Sequence, residues 1–116
     1  MPTFVTLPEI QAAATRIAGT AVRTPLVQLH APNLPFEIFV KVEAAQPIGS
    51  FKIRGAFNKV SQLSPEQLAK GVITYSSGNH AQGVAYAARA LGSKAVIVMP
   101  SNAPQVAWPA MMAGSS

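Results

Sequence analysis

The chain has no cysteine and no aspartate, and its four acidic residues, all glutamate, stand against nine lysines and arginines. Without thiols it can form neither disulfides nor thiolate metal sites. With His30 and His80 as its only histidines and so few carboxylates, it lacks the ligands for a zinc cluster, so no metal is expected. Charged residues make up 11% of the chain, less than half the usual share of ~25%. Long apolar runs are missing too. The longest, Ala95 to Met99, falls far short of the roughly 18 to 20 residues of a membrane span, so no membrane partner is expected. Met1 to Ile10 has no basic segment followed by a long apolar stretch, which argues against a secretory signal and for a cytoplasmic setting.

What is present is apolar: 49% of 116 residues, too hydrophobic for intrinsic disorder. The length fits one small domain, or a piece of a larger one, since most domains hold about 100 to 150 residues. A globule of this size hides only about two thirds of its unfolded surface, so this composition implies faces meant for further protein and is a first sign of a fragment. The net charge of +5 could suit nucleic acid. The basic residues, however, are spread singly from Arg16 to Lys94 with no run and no aromatic-interleaved stripe, so nucleic-acid binding is not expected.

Thr6-Leu7-Pro8-Glu9 offers a cap, an early proline and an early acid, and Ile10, Ala14, Ile17 and Ala18 recur at helical spacing, which predicts a helix over 8–18. Thr24-Pro25-Leu26 reads as an extended entry, and 36–43 alternates apolar with polar as a strand does. After the turn Gln46-Pro47-Ile48-Gly49, Ser50 is placed to cap a helix with Ile53, Ala56, Phe57, Val60 and Leu63 on one face. Ser64-Pro65-Glu66 starts a short helix that Gly71 ends before a strand at 72–75. Asn79 to Leu91 is a helix with a small-residue stripe suited to close packing on a sheet. Residues 94–99 read as a strand buried on both faces. The order β-α-β-α-β predicts an α/β fold with parallel strands and right-handed crossovers. Residues 105–116 have no period and no charge and are expected to be poorly ordered.

Two turns carry chemical content, each after a strand and opening a helix, where open α/β sheets place ligands. In Gly49-Ser50-Phe51-Lys52, an ammonium held at the positive end of a helix and partly desolvated is disfavoured, which frees a fraction of amine as nucleophile or base. By position alone, a solvated first-turn lysine is the commoner case. In Ser76-Ser77-Gly78-Asn79-His80, free backbone N–H groups beside two hydroxyls and an amide suit a carboxylate or phosphate. The same residues also suit a plain capped helix. His80 reads as structural, having no carboxylate nearby in sequence to orient it. Neither turn has Walker A or dinucleotide-fingerprint spacing.

Together the turns resemble the fold type II pyridoxal-phosphate enzymes, and within them the serine/threonine dehydratases and serine racemases. Lys41 to Ala56 is similar to that group's cofactor-lysine motif, and Ser76 to Gly83 to its asparagine loop. Arg23-Thr24-Pro25-Leu26 and Val98-Met99-Pro100 followed by Ala103-Pro104 match as well, so the resemblance covers roughly residues 5–105. It implies a three-layer, parallel-sheet small domain, present here in part. Residues 1–35 would form an amino-terminal helix and extended segment, 36–104 the partial cofactor-binding α/β domain, and 105–116 an aberrant tail.

By that resemblance Lys52 would carry pyridoxal phosphate through its amine and, once released by substrate, remove the α-proton. Phe51 would pack beside the pyridine ring and Asn79 would bond the ring hydroxyl. The turn Ser76, Ser77, Gly78, Asn79 and His80 would hold the carboxylate of a small amino-acid substrate on its amides. Ser77 sits where the racemases place their opposite-face acid/base. The implied reaction converts serine or threonine to 2-oxo acid and ammonia, with racemization as the alternative. A non-catalytic fragment that associates with copies of itself or other subunits is another.

The sequence departs from the group in two ways. Ile48 stands where threonine is common, and no glycine-rich phosphate loop follows, so the cofactor site is incomplete and activity is expected to be lost. The charge-free tail suggests a truncated or frame-shifted gene. Reading the adjoining nucleotides in the other frames is then expected to recover a charged helix and the glycine loop, and finding neither would contradict it.

Overall fold

A computed structural model describes residues 3–103, so the expected tail at 105–116 lies outside the described residues. Helix α1 runs Leu7–Ile17. Thr6 caps it, accepting from the Glu9 N–H while the Glu9 carboxylate accepts from the Thr6 N–H, a reciprocal box. Strand β1, Leu26–Leu29, pairs antiparallel with β2, Ile38–Lys41, in the register Leu26 to Lys41 through Leu29 to Ile38. Helix α2 is Lys52–Val60 and α3 is Pro65–Lys70, the latter capped by Ser64. Strand β3, Val72–Tyr75, helix α4, Asn79–Ala90, and strand β4, Ala95–Val98, complete the order. Strands β3 and β4 pair in parallel, Val72 opposite Ala95 and Tyr75 opposite Val98.

The α/β class with a parallel sheet therefore stands, with three differences of detail. First, the strand expected at 36–43 does not join the parallel sheet. It lies in a separate two-stranded sheet with β1, where the sequence predicts only an extended entry. The short link between them through Pro32, Asn33 and Pro35 lets the chain return antiparallel without a crossover helix. Second, β4 is not buried on both faces. Ala95 and Ile97 turn toward α4, while Val96 and Val98 on the opposite face are exposed beside Ile73 and Tyr75, each 72% exposed. The third layer that would cover them is absent among the described residues.

Third, Ser50 does not cap α2. The chain enters the helix through Phe51, already in the right-handed helical region at φ −68°, ψ −12°, which places the serine one residue too early. The Ser50 hydroxyl is buried without a hydrogen-bond partner. The turn before it needs Gly49, whose φ of +75° is a left-handed conformation that side chains resist.

The core lies between α2 and α4. Phe57, Val60 and Ala87 form its buried centre, with Ile17, Leu63, Leu68, Val72 and Leu91 packed around them. The small residues of α4 serve two neighbours, because Ala81 meets Ile97 and Met99 near the sheet while Gly83 and Ala87 face α2. A Cβ built on Gly83 would lie 3.1 Å from both the Lys52 carbonyl oxygen and the Ala56 Cβ. A Cβ on Gly55 would meet nothing within 4 Å.

These two glycines should therefore respond oppositely. Gly83→Val is expected to lower the unfolding free energy by about 1 to 3 kcal/mol through overpacking. Gly55→Ala should raise it by up to about 1 kcal/mol through helix propensity. Urea denaturation of the two variants checks both signs.

Candidate cofactor and substrate site

Lys52 is the first residue of α2 and is half-buried, with its ammonium 5.5 Å from the centroid of the Phe51 ring. Phe51 itself is exposed. At the end of β3, the Ser76 N–H donates to the Val98 carbonyl oxygen (3.0 Å), and the Ser76 hydroxyl accepts from the Gly78 N–H (3.3 Å). Ser77 is half-buried, and Gly78, Asn79 and His80 are exposed. Gly78 precedes the first turn of α4, and no side chain caps that helix. Its first N–H groups remain available to an anion.

The two turns come together because α4 crosses α2 at its amino-terminal end. Gly83, four residues into α4 from Asn79, lies directly against the Lys52 backbone. Beside this crossing a groove of about 700 Å³ brings together Phe51, Lys52, Thr74 and His80. The remaining residues of the turn, Ser76 to Asn79, lie next to it in the chain but do not line it. This donor set suits pyridoxal phosphate: a primary amine for the aldehyde, an aromatic ring beside that amine, and an uncapped helix start for an anion.

Sequence reasoning singles out no polar residue of 22–46 for a role, yet a bonded cluster there holds the lysine turn. Gln46, buried, brackets the Val22 backbone: its Oε1 accepts from the Val22 N–H (2.8 Å) and its Nε2 donates to the Val22 carbonyl (2.7 Å). The Glu43 carboxylate accepts from Arg54 Nε (3.0 Å) and Nη2 (2.7 Å), from the Thr24 hydroxyl (2.8 Å) and from Gln46 Nε2 (3.0 Å). Arg54 Nη2 also reaches the Val22 carbonyl (3.2 Å). The available signal was the placement of Glu43, Gln46 and Arg54 inside the long motif around Lys52.

The bonds from Arg54 hold the Glu43 carboxyl at about 2, down from 4.5, against burial that pushes it up, with Thr24 and Gln46 adding to the lowering. Glu9 is lowered by the backbone and side-chain bonds of Thr6. Among the described residues, no group of three metal-binding side chains occurs, and no helix is long and apolar enough to cross a membrane.

A family model described as pyridoxal-phosphate dependent enzyme matches residues 17–113, and the chain belongs to that family. The L-threonine dehydratase catabolic TdcB of Staphylococcus aureus is 47% identical over 105 residues, covering 88% of this chain and 30% of the relative. Among solved structures, the processed form of threonine deaminase isoform 2 from Solanum lycopersicum matches with a TM-score of 0.78 at 40% identity, over 98% of this chain and 33% of that one. Serine racemase of Dictyostelium discoideum matches with a TM-score of 0.87 at 39% identity, over 95% and 37%. The chain spans less than a third of the length of the curated dehydratase.

The Glu43 carboxyl binds fewer protons folded than unfolded, because its folded pKa is the lower one. Its contribution to stability is full above about 4.5 and is lost as pH falls from there to about 2. In an acid titration followed by circular dichroism, Glu43→Gln should start less stable at neutral pH and lose less than the wild type across that window.

Proposed function

We propose that this chain carries the lysine and carboxylate-turn half of a pyridoxal-phosphate-dependent ammonia lyase that converts a hydroxy amino acid to a 2-oxo acid and ammonia. The observation that carries this reading is the contact of Gly83 with the Lys52 backbone, which sets the starts of α2 and α4 against each other. The similarity to a threonine dehydratase and a threonine deaminase supports the reaction class.

In this reading Lys52 holds the cofactor through its amine, Phe51 flanks the ring and Asn79 bonds the ring hydroxyl. Pyridoxal phosphate, when bound, supplies an electron sink for negative charge at the substrate Cα. The chain's own residues do the rest. With the Ser76 N–H bonded to Val98 and the Gly78 N–H to the Ser76 hydroxyl, the N–H groups of Ser77, Asn79 and His80 are the ones left in the turn from Ser76 to His80 to bind the substrate carboxylate at the uncapped start of α4 and fix its orientation. Once the substrate amine has taken its place on the cofactor, the freed Lys52 amine would take the proton from Cα as general base. The close packing of α4 on α2 keeps this amine and the carboxylate turn at a fixed separation.

A racemase reading rests on Ser77, a hydroxyl in the carboxylate turn, and on the similarity to serine racemase. The small amino-acid substrate is common to both readings. A cytoplasmic setting is part of this reading. The open apolar sheet face suits self-association.

No glycine-rich phosphate cradle occurs in the 116 residues, so weak cofactor binding and negligible turnover are expected of this chain by itself. An absorbance titration with pyridoxal phosphate should show weak binding that Lys52→Ala abolishes, with no 2-oxo acid released from threonine or serine. Binding unaffected by Lys52→Ala would overturn the role of that lysine, and rapid oxo-acid release would overturn the claim of inactivity.

A further inference from the structure

The bonded cluster around Glu43 encloses the lysine turn from both sides. Gln46 stands six residues before Lys52 and Arg54 two residues after it, and both donate to the same carboxylate. Between these fixed points, Gly49 makes the left-handed bend, with its N–H bonded to the Gln46 carbonyl at 2.8 Å, and the buried Ser50 side chain gives the turn no hydrogen bond of its own. The entry to α2 is thus left without a side-chain cap, so the direction of its first turn has to be set from elsewhere.

Arg54 supplies that setting. Its planar guanidinium makes two bonds to Glu43 in a fork that a flexible ammonium cannot reproduce, and a third to the Val22 carbonyl. Gln46 brackets the same Val22 peptide, and Lys41 reaches the Thr24 carbonyl at 3.0 Å. The first turn of α2 is thereby tied to the 22–24 segment, just beyond the end of the β1–β2 pairing, where the Val42 N–H meets the Pro25 carbonyl at 3.1 Å.

We infer that Glu43 and Arg54, keyed by Gln46 and Thr24, are positioning residues that aim the Lys52 amine at its aldehyde partner. This rests on the reading of Lys52 proposed above. Arg54 lines the groove beside Lys52, but its Nε and Nη2 are turned to Glu43, which does not line it, so in this account the pair sets position and does not meet the reacting atoms. They act through the backbone of the turn, and their removal should misdirect Lys52 while leaving the rest of α2 in place. Lys59, exposed near the far end of the same helix, lines the same groove and is therefore an internal reference for access of the aldehyde to it.

The test is reductive trapping of the full chain with pyridoxal phosphate and borohydride, with adducts located by peptide mass spectrometry and expressed as the ratio of Lys52 to Lys59. In the wild type Lys52 should dominate. In Glu43→Gln and Arg54→Gln the ratio should fall roughly tenfold, the scale of a small misplacement of a reacting group, with unchanged far-ultraviolet circular dichroism. Arg54→Lys, which keeps the charge but not the fork, should recover part of it. A ratio that stays at the wild-type value in either folded variant overturns the inference, as does a parallel loss at Lys52 and Lys59. Should those variants not fold, Thr24→Val removes one bond to Glu43 and leaves the ion pair. A drop of about twofold is then expected, and an unchanged ratio contradicts the inference. If Lys52 is not favoured over Lys59 in the wild type, the reading of Lys52 fails and the inference falls with it.

Discussion

The close approach of α4 to α2 at Gly83 is the constraint on which the site depends. Ordinary helix pairs keep about 8 to 10 Å between axes because side chains separate them. Here a glycine on α4 meets the Lys52 carbonyl and the Ala56 methyl, and Ala87 continues the contact toward Phe57 and Val60. Because the contact joins the first turn of α2 to the second turn of α4, it brings the starts of two helices, the Lys52 amine and one polar turn to the same end of the molecule. A larger residue at position 83 would separate them even if every chemical group were retained.

Much of this was legible in the sequence because local signals agreed with the final packing. Thr6 and Ser64 cap the helices they were expected to cap, Gly71 ends α3 with a φ of +89°, and the apolar stripe Ile53, Ala56, Phe57 and Val60 is the buried face of α2. Where the reading differed, the deciding information was tertiary. Alternation at 36–43 marks a strand but carries nothing about its partner, and the strand pairs with 26–29 rather than with the parallel sheet. The β-branched run at 95–98 suits burial on both faces, yet burial needs a second layer, and the described residues provide α4 alone. Ser50 has the right chemistry for a cap, but the helical backbone of Phe51 shifts the start of α2 past it.

The site shows the same division. Lys52 and the turn at 76–80 could be picked out because their residue types at helix starts have chemical meaning individually. Glu43, Gln46, Thr24 and Arg54 could not, since each is unremarkable alone and gains its partners only when the fold brings 22–24, 43–46 and 54 into one bonded cluster. The strongly lowered Glu43 carboxyl expresses that convergence in electrostatic form. The exposed row of Ile73, Tyr75, Val96 and Val98 agrees with the compositional sign that this chain has faces meant for further protein, and its relatives are about three times as long or more.

The central claim is that α4 is held directly against the first turns of α2 at Gly83, and the nuclear Overhauser effect between the Ala56 methyl and the Gly83 α-protons in the labelled full chain tests it most directly. A strong cross-peak is predicted, accompanied by contacts from Gly83 to the α-proton of Lys52. Absence of both, in a chain whose α2 and α4 are otherwise helical, would contradict the account.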